Sequence, residues 1–280
     1  MEKFGKINQK ESGPETKPEY FFEAEFKELE LLVLPLIEKL KENIDKGEYD
    51  MLIGDDASGR IPTLILRGII NSRKRELNPY LKSSESEIKT RFVAGGQLRS
   101  TEQLISVIEK LKPEVKNKVL IVTEYISSGR SMEKLSSALK GLGIPFDIAT
   151  LKSEFDGEKS NLGKLFDKLK DIGASFGISD PRSEFGKDNI KIPENSKFYY
   201  GKGAGDADAP PLIYDNSEIS GVKKVLGEQY VIPYKKSYLE NSKNSLANLR
   251  GKEIQESVNF TREDVNLLVK KTLEKVWGDK

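Results

Sequence analysis

Two short apolar runs, each ending in a polar turn and followed by a helical stripe, constrain the fold of this chain more than any other feature. Met51-Leu52-Ile53 stops at Gly54 and gives way to Asp55-Asp56-Ala57-Ser58-Gly59-Arg60, after which Pro62 opens a helix through Ile70. Val119-Leu120-Ile121-Val122 runs into Thr123-Glu124-Tyr125-Ile126-Ser127-Ser128-Gly129-Arg130-Ser131, and Met132, Leu135, Leu139 and Leu142 then recur at helical spacing. Apolar runs of this length read as strands covered on both faces. Further strands are expected at Arg91–Ala94, Phe146–Leu151 and Ala174–Ile178. A helix through Leu104, Ile108 and Leu111, capped by Ser100 or Thr101, precedes the Val119 run. Strands alternating with helices in this way predict an α/β fold with a mostly parallel, doubly wound sheet.

The flanks differ. Residues 1–19 are charged and hold Gly13, Pro14 and Pro18, so they read as a mobile tail. From Phe22 an apolar stripe through Phe26, Leu29, Leu36 and Leu40 predicts an N-terminal helix that Pro35 should kink or split. The core is expected over 20–180, with a loop-rich and helical extension over 181–280. That extension should end in two helices, about 236–256 and 262–277, the second opened by a capping arrangement at Thr261 and Asp264. Gly201 to Asp208 reads as a surface loop.

Composition then removes whole classes of chemistry. There is no histidine and no cysteine, which excludes imidazole bases, thiolate nucleophiles, disulfides and Cys/His zinc sites. Forty-six basic residues face 45 acidic ones, so no overall field draws the protein onto nucleic acid or an anionic membrane. No apolar run approaches the ~20 residues that cross a bilayer, and the N-terminus lacks the apolar core of a signal peptide. A cytoplasmic protein is expected. Its chemistry must rest on carboxylates, hydroxyls, Lys/Arg, backbone amides or carboxylate-held Mg²⁺.

The segment after Val122 is where such groups collect. Ligands in open parallel sheets sit at the carboxyl ends of strands. A loop that opens a helix there offers N–H donors and partial positive charge to a phosphate. Ser127, Ser128 and Ser131 add hydroxyls, and Gly129 permits close backbone approach. Glu124 could accept from vicinal sugar hydroxyls or help to hold Mg²⁺. The plainer alternative is an ordinary strand–loop–helix whose serines cap the helix.

The segment Val119 to Met132 resembles the PRPP-binding signature of the type I phosphoribosyltransferases, and is closest to the hypoxanthine-guanine type. Four apolar residues, an acidic pair, three variable residues and Ser/Thr-Gly-x-Ser/Thr make up that signature. The resemblance covers about half the chain and implies that Glu124 meets the ribose hydroxyls, with Ser127, Ser128, Gly129, Arg130 and Ser131 around the 5′-phosphate. Thr123 stands where the first acid is expected, and Ser127 where purine-salvage members carry an aspartate. Gly54 to Pro62 occupies the place of the family's pyrophosphate loop, with Ser58, Gly59 and Arg60 as its contacts and Asp56 beside Glu124 as a Mg²⁺ ligand. Asp55 and Asp56 could equally cap the helix that follows. Ser83 and Ser84 fall in the interval of the family's mobile loop.

The resemblance implies Mg²⁺-dependent transfer of a 5-phosphoribosyl group from PRPP to a nitrogen acceptor, with release of pyrophosphate. The partners expected are these small molecules, not nucleic acid or membrane, and a homodimer, since family members are often dimeric. Thr123 keeps a second outcome open: a sensor on the same fold that binds PRPP or a nucleotide without turnover.

Overall fold

The computed structural model describes residues 19–80, 87–93, 101–126, 130–153, 196–203, 222–224, 231–233 and 245–278. Its centre is a parallel sheet of β1 (Tyr49–Asp55), β2 (Lys89–Val93), β3 (Lys118–Ile126), β4 (Phe146–Ser153) and β5 (Phe198–Gly203), in the order β2-β1-β3-β4-β5. Five helices accompany it among the described residues: α1 (Glu23–Asp45), α2 (Asp56–Leu77), α3 (Thr101–Glu109), α4 (Arg130–Gly141) and α5 (Ser245–Trp277). Two three-residue strands, Val222–Lys224 and Val231–Pro233, form a small antiparallel pair.

Pleating explains why the core strands read as unbroken apolar runs. Leu52, Leu120 and Val122 enter one core cluster with α1, α2 and α5. Met51, Ile53, Val119 and Ile121 enter the other with α3 and α4. Both faces of each strand are therefore covered, and no polar alternation survives. The result is a doubly wound α/β fold. Strand order reverses at β1: the chain steps outward to β2, then returns past β1 to β3 and continues through β4 and β5. Adjacent β1 and β3 thus send their helices to opposite faces, and it is at the carboxyl ends of such a strand pair that open α/β sheets place their ligands.

The amino ends of the strands are closed by a buried polar cluster. Asp147, fully buried, accepts from the Tyr49 hydroxyl (2.8 Å), Lys118 Nζ (3.2 Å) and the backbone N–H of Lys197 (2.7 Å). Asn43 on α1 donates to Glu48 (2.9 Å) and to the Tyr199 hydroxyl (3.0 Å). Burial, reinforced by the Asp147 charge, raises the Tyr49 hydroxyl far above its ordinary range and pushes Tyr199 up to about 12. Both phenols therefore stay protonated at neutral pH. One carboxylate so ties β1, β3, β4 and the start of β5 together.

Several elements depart from the sequence expectations. Pro35 neither ends nor splits α1. The carbonyl that loses its donor belongs to Leu31, whose side chain is on the exposed face, so the loss falls where solvent can reach. The C-terminal pair of helices is one continuous α5 from Ser245 to Trp277. Thr261 does not cap, because its hydroxyl donates to the Ser257 carbonyl one turn back (3.0 Å). Asp264 caps a different helix: its carboxylate accepts from Phe21 N and Phe22 N, both 2.9 Å, at the start of α1. Residues 201–203, read as surface loop, lie in β5, which joins the core sheet from beyond residue 181. Gly201 is required there, since a Cβ would lie 2.3 Å from the Leu32 carbonyl oxygen. The strand expected at 174–178 and the tail 1–18 lie outside the described residues.

α5 is fastened at its far end by Trp277. That indole donates to Asp45 (3.1 Å) and lies beneath the cations of Lys41 and Arg73, 5.6 and 5.5 Å from its ring. Among the described residues no helix is long and apolar enough to cross a membrane.

Replacing Asp147 with alanine removes the acceptor of the buried Tyr49 hydroxyl and of the Lys197 N–H, and leaves Lys118 with Glu48 alone at 3.6 Å. Urea denaturation should show a loss of about 3–5 kcal/mol. A loss near zero would mean that the cluster does not tie the strands.

Candidate functional site

The carboxyl ends of β1 and β3, with the first turns of α2, carry Asp56, Ser58, Gly59, Arg60, Thr123 and Glu124 among the residues singled out in the sequence. β1 passes into α2 without a loop: Asp55 ends the strand and Asp56 begins the helix. This corrects the expectation of a polar turn at Asp55–Arg60. Ser58, Gly59 and Arg60 are helical, in the first turns of α2. Pro62 falls deeper in the helix than its first turn.

Glycine makes so abrupt a junction feasible. A Cβ on Gly59 would sit 2.6 Å from the carbonyl oxygen of Val122 and 2.7 Å from the carbonyl carbon of Gly54. The first turn of α2 therefore rests on bare backbone of both β1 and β3. Gly54 plays a related part. Its missing Cβ leaves room for the Phe92 ring of β2 and for the Thr63 hydroxyl, each 2.7 Å from where that carbon would be. Phe92 in turn lies beneath the Arg60 guanidinium, 5.1 Å from ring centroid to carbon. Cation and ring attract through the ring quadrupole. This holds the Arg60 guanidinium over the Phe92 ring.

The two strand ends are joined by hydroxyls. Ser58 Oγ lies 2.7 Å from Thr123 Oγ1, and also 3.3 Å from the Asp55 carbonyl, to which it donates. Thr123 and Glu124 are both buried at the end of β3, each 1% exposed. A carboxylate in so little contact with water is expensive unless it has polar partners. At the start of α2 the Asp55 side chain makes no capping bond. The N–H groups of Asp56, Ala57 and Ser58 open a helix that Asp55 itself does not cap, and a helix N-terminus is a setting that suits an anion.

The structure thus brings together Ser58, Gly59, Arg60, Thr123 and Glu124, with the backbone of Asp56. Arg130 and Ser131 begin α4 on the far side of the β3 connection, Ser131 half-buried. Ser127, Ser128 and Gly129, like Ser83 and Ser84, lie outside the described residues. No group of three or more carboxylates converges on one point among the described residues. Glu124 is a carboxylate of the type Mg²⁺ takes, and Mg²⁺ commonly uses one or two carboxylates, completing its shell with water and phosphate oxygens.

Sequence reasoning missed Phe92, whose strand was expected but whose role as a platform was not. Its signal was slight: a lone aromatic next to a strand end, with a glycine on the neighbouring strand. It also missed that Tyr125, Lys152 and Lys202 are successive register partners across β3, β4 and β5. Lys152, just past the apolar run Phe146–Leu151, was the available clue. No family model, no curated protein and no solved structure matches the chain.

Gly59→Ala should cost about 1–3 kcal/mol, because the added methyl meets main-chain atoms that cannot turn away. Chemical denaturation checks this, and an unchanged midpoint would mean that α2 does not rest on the strands as described.

Proposed function

We propose that this chain carries a phosphoribosyltransferase-type site and transfers the 5-phosphoribosyl group of PRPP to a nitrogen acceptor, releasing pyrophosphate. The observation that supports it best is the Ser58–Thr123 contact at 2.7 Å. It joins the two segments that resemble phosphate-binding elements, at the point of the sheet where strand order reverses. On this reading the fold is of the type I phosphoribosyltransferase kind.

The residues divide the work as follows. The amides that open α2 and the Arg60 guanidinium face the pyrophosphate, Arg60 by a bidentate grip. Its stacking on Phe92 reduces the side-chain freedom lost on binding. Glu124 accepts from the ribose hydroxyls. The segment 127–131 holds the 5′-phosphate at the start of α4. Bound with PRPP, Mg²⁺ would offset charge on the departing pyrophosphate, with Glu124 and Asp56 as its protein ligands. The acceptor nitrogen forms a bond to ribose C1 while the C1–O bond breaks, the electron pair leaves with pyrophosphate, and the proton of an N–H acceptor passes to the pyrophosphate or to solvent. No imidazole is needed for this. Closely held reactants and fixed dipoles supply the rate enhancement.

One observation favours a second reading, a PRPP or nucleotide sensor without turnover. Thr123 replaces the first acid of the signature, and its hydroxyl is engaged with Ser58. It therefore does not supply the missing negative charge.

Calorimetric titration with PRPP and Mg²⁺ tests the site, and pyrophosphate release across a panel of nucleobases and related acceptors tests turnover. Glu124→Ala and Arg60→Ala should each weaken PRPP binding about 10- to 100-fold, the scale of one lost hydrogen bond to a charged group. Unchanged affinity in a folded Glu124→Ala protein would remove the ribose assignment. Binding without pyrophosphate release from any acceptor would select the sensor.

A further inference from the structure

A second concave feature lies away from the strand ends, between α2 and α5. It encloses about 900 Å³. Its floor is apolar, formed by Leu64 of α2 and by Val265, Val269, Leu273 and Trp277 of α5. Gly68 brings the two helices together, since a Cβ there would lie 2.7 Å from a Val269 methyl. The helices therefore form a trough with a closed base.

The rim is cationic. Arg67, Arg75, Arg262 and Lys270 line it, against Glu76 and Glu274. Both of those acids are already engaged, Glu76 by Arg73 at 3.0 Å and Glu274 by Lys270 at 3.9 Å. Arg67 pairs with Glu87 outside the trough, at 3.2 Å. Arg75 and Arg262 have no acidic partner among the described residues, and both are exposed. The α2 wall from Leu64 to Glu76 is about 18 Å long at a rise of ~1.5 Å per residue, roughly three helical turns.

We propose that this trough seats an acidic amphipathic helix of a partner protein. Apolar side chains at i, i+3, i+4 and i+7 would cover the floor, and Asp or Glu on its flanks would meet Arg75 and Arg262. Charge complementarity sets the sign of the partner. The apolar floor argues for a protein helix over a nucleic acid strand, which needs a continuous cationic track and aromatic platforms. This inference is independent of the PRPP site.

Trp277 is the chain's single tryptophan and lies in the trough, so its emission reports occupancy. The full-length chain would be titrated with a synthetic three-turn peptide of leucines at that spacing and glutamates elsewhere. Two controls are a permuted peptide of the same composition and a peptide with lysine for glutamate; a single-stranded oligonucleotide is a third arm. The expected result is a saturable emission change with the acidic amphipathic peptide alone. That affinity should fall at least about tenfold, or 1.4 kcal/mol, in an Arg75→Glu, Arg262→Glu variant with unchanged circular dichroism. No saturable change, an equal response to the permuted or lysine peptide, tighter binding of the oligonucleotide, or undiminished affinity in the double variant would each overturn the proposal.

Discussion

Everything at the carboxyl end of the sheet depends on one close approach, the first turn of α2 lying against the main chain of β1 and β3. Gly59 allows it, because any larger residue would press on the Val122 carbonyl. The helix start, with its row of N–H groups, is thereby brought down onto the strand ends instead of standing above them on a loop. Ser58 then reaches Thr123, and Arg60 reaches the face of Phe92. None of these contacts would survive a shift of α2 by the width of a methyl group. Backbone packed on backbone leaves little slack, and core packing transmits such displacements.

The two ends of the sheet have different physical characters. At the amino ends Asp147 accepts three hydrogen bonds, one from Lys118, while Asn43 and two protonated tyrosines complete a network of side chains that hold one another. At the carboxyl ends the groups are hydroxyls, the amides that open α2 and a buried carboxylate. The first arrangement secures strand positions. The second gathers hydroxyls and a buried carboxylate where the start of α2 meets the strand ends. α5 adds a third layer of restraint. Asp264 caps α1, Trp277 sits on Asp45, and the helix closes one face of the core.

Local sequence carried much of this arrangement. Continuous apolar runs at Met51–Ile53 and Val119–Val122 disclosed doubly covered strands, and the helical stripe from Phe26 to Leu40 disclosed α1. What escaped depended on contacts distant in sequence. The polar stretch at 55–60 reads as a turn because its glycine and aspartates favour turns. It is helical because Gly59 meets β3, more than sixty residues away. β5 looks like loop for a similar reason: Gly201 and Gly203 weaken it as an isolated strand, while α1 and β4 demand the absence of side chains there. Thr261 and Asp264 matched a helix-start pattern, yet the acid serves a helix more than two hundred residues earlier. At the site, the hydroxyls and acids were legible one by one. Phe92 was not, since its role comes only from lying between Gly54 and Arg60.

The central claim is that two phosphate-seeking segments meet across the carboxyl ends of β1 and β3. A crystal structure of the complex with PRPP and Mg²⁺ tests it most directly. The account predicts pyrophosphate oxygens on the amides of residues 56–58 and on the Arg60 guanidinium, with the 5′-phosphate against residues 127–131. A ligand bound elsewhere on the chain, with those amides and that guanidinium making no contact to it, would contradict the account.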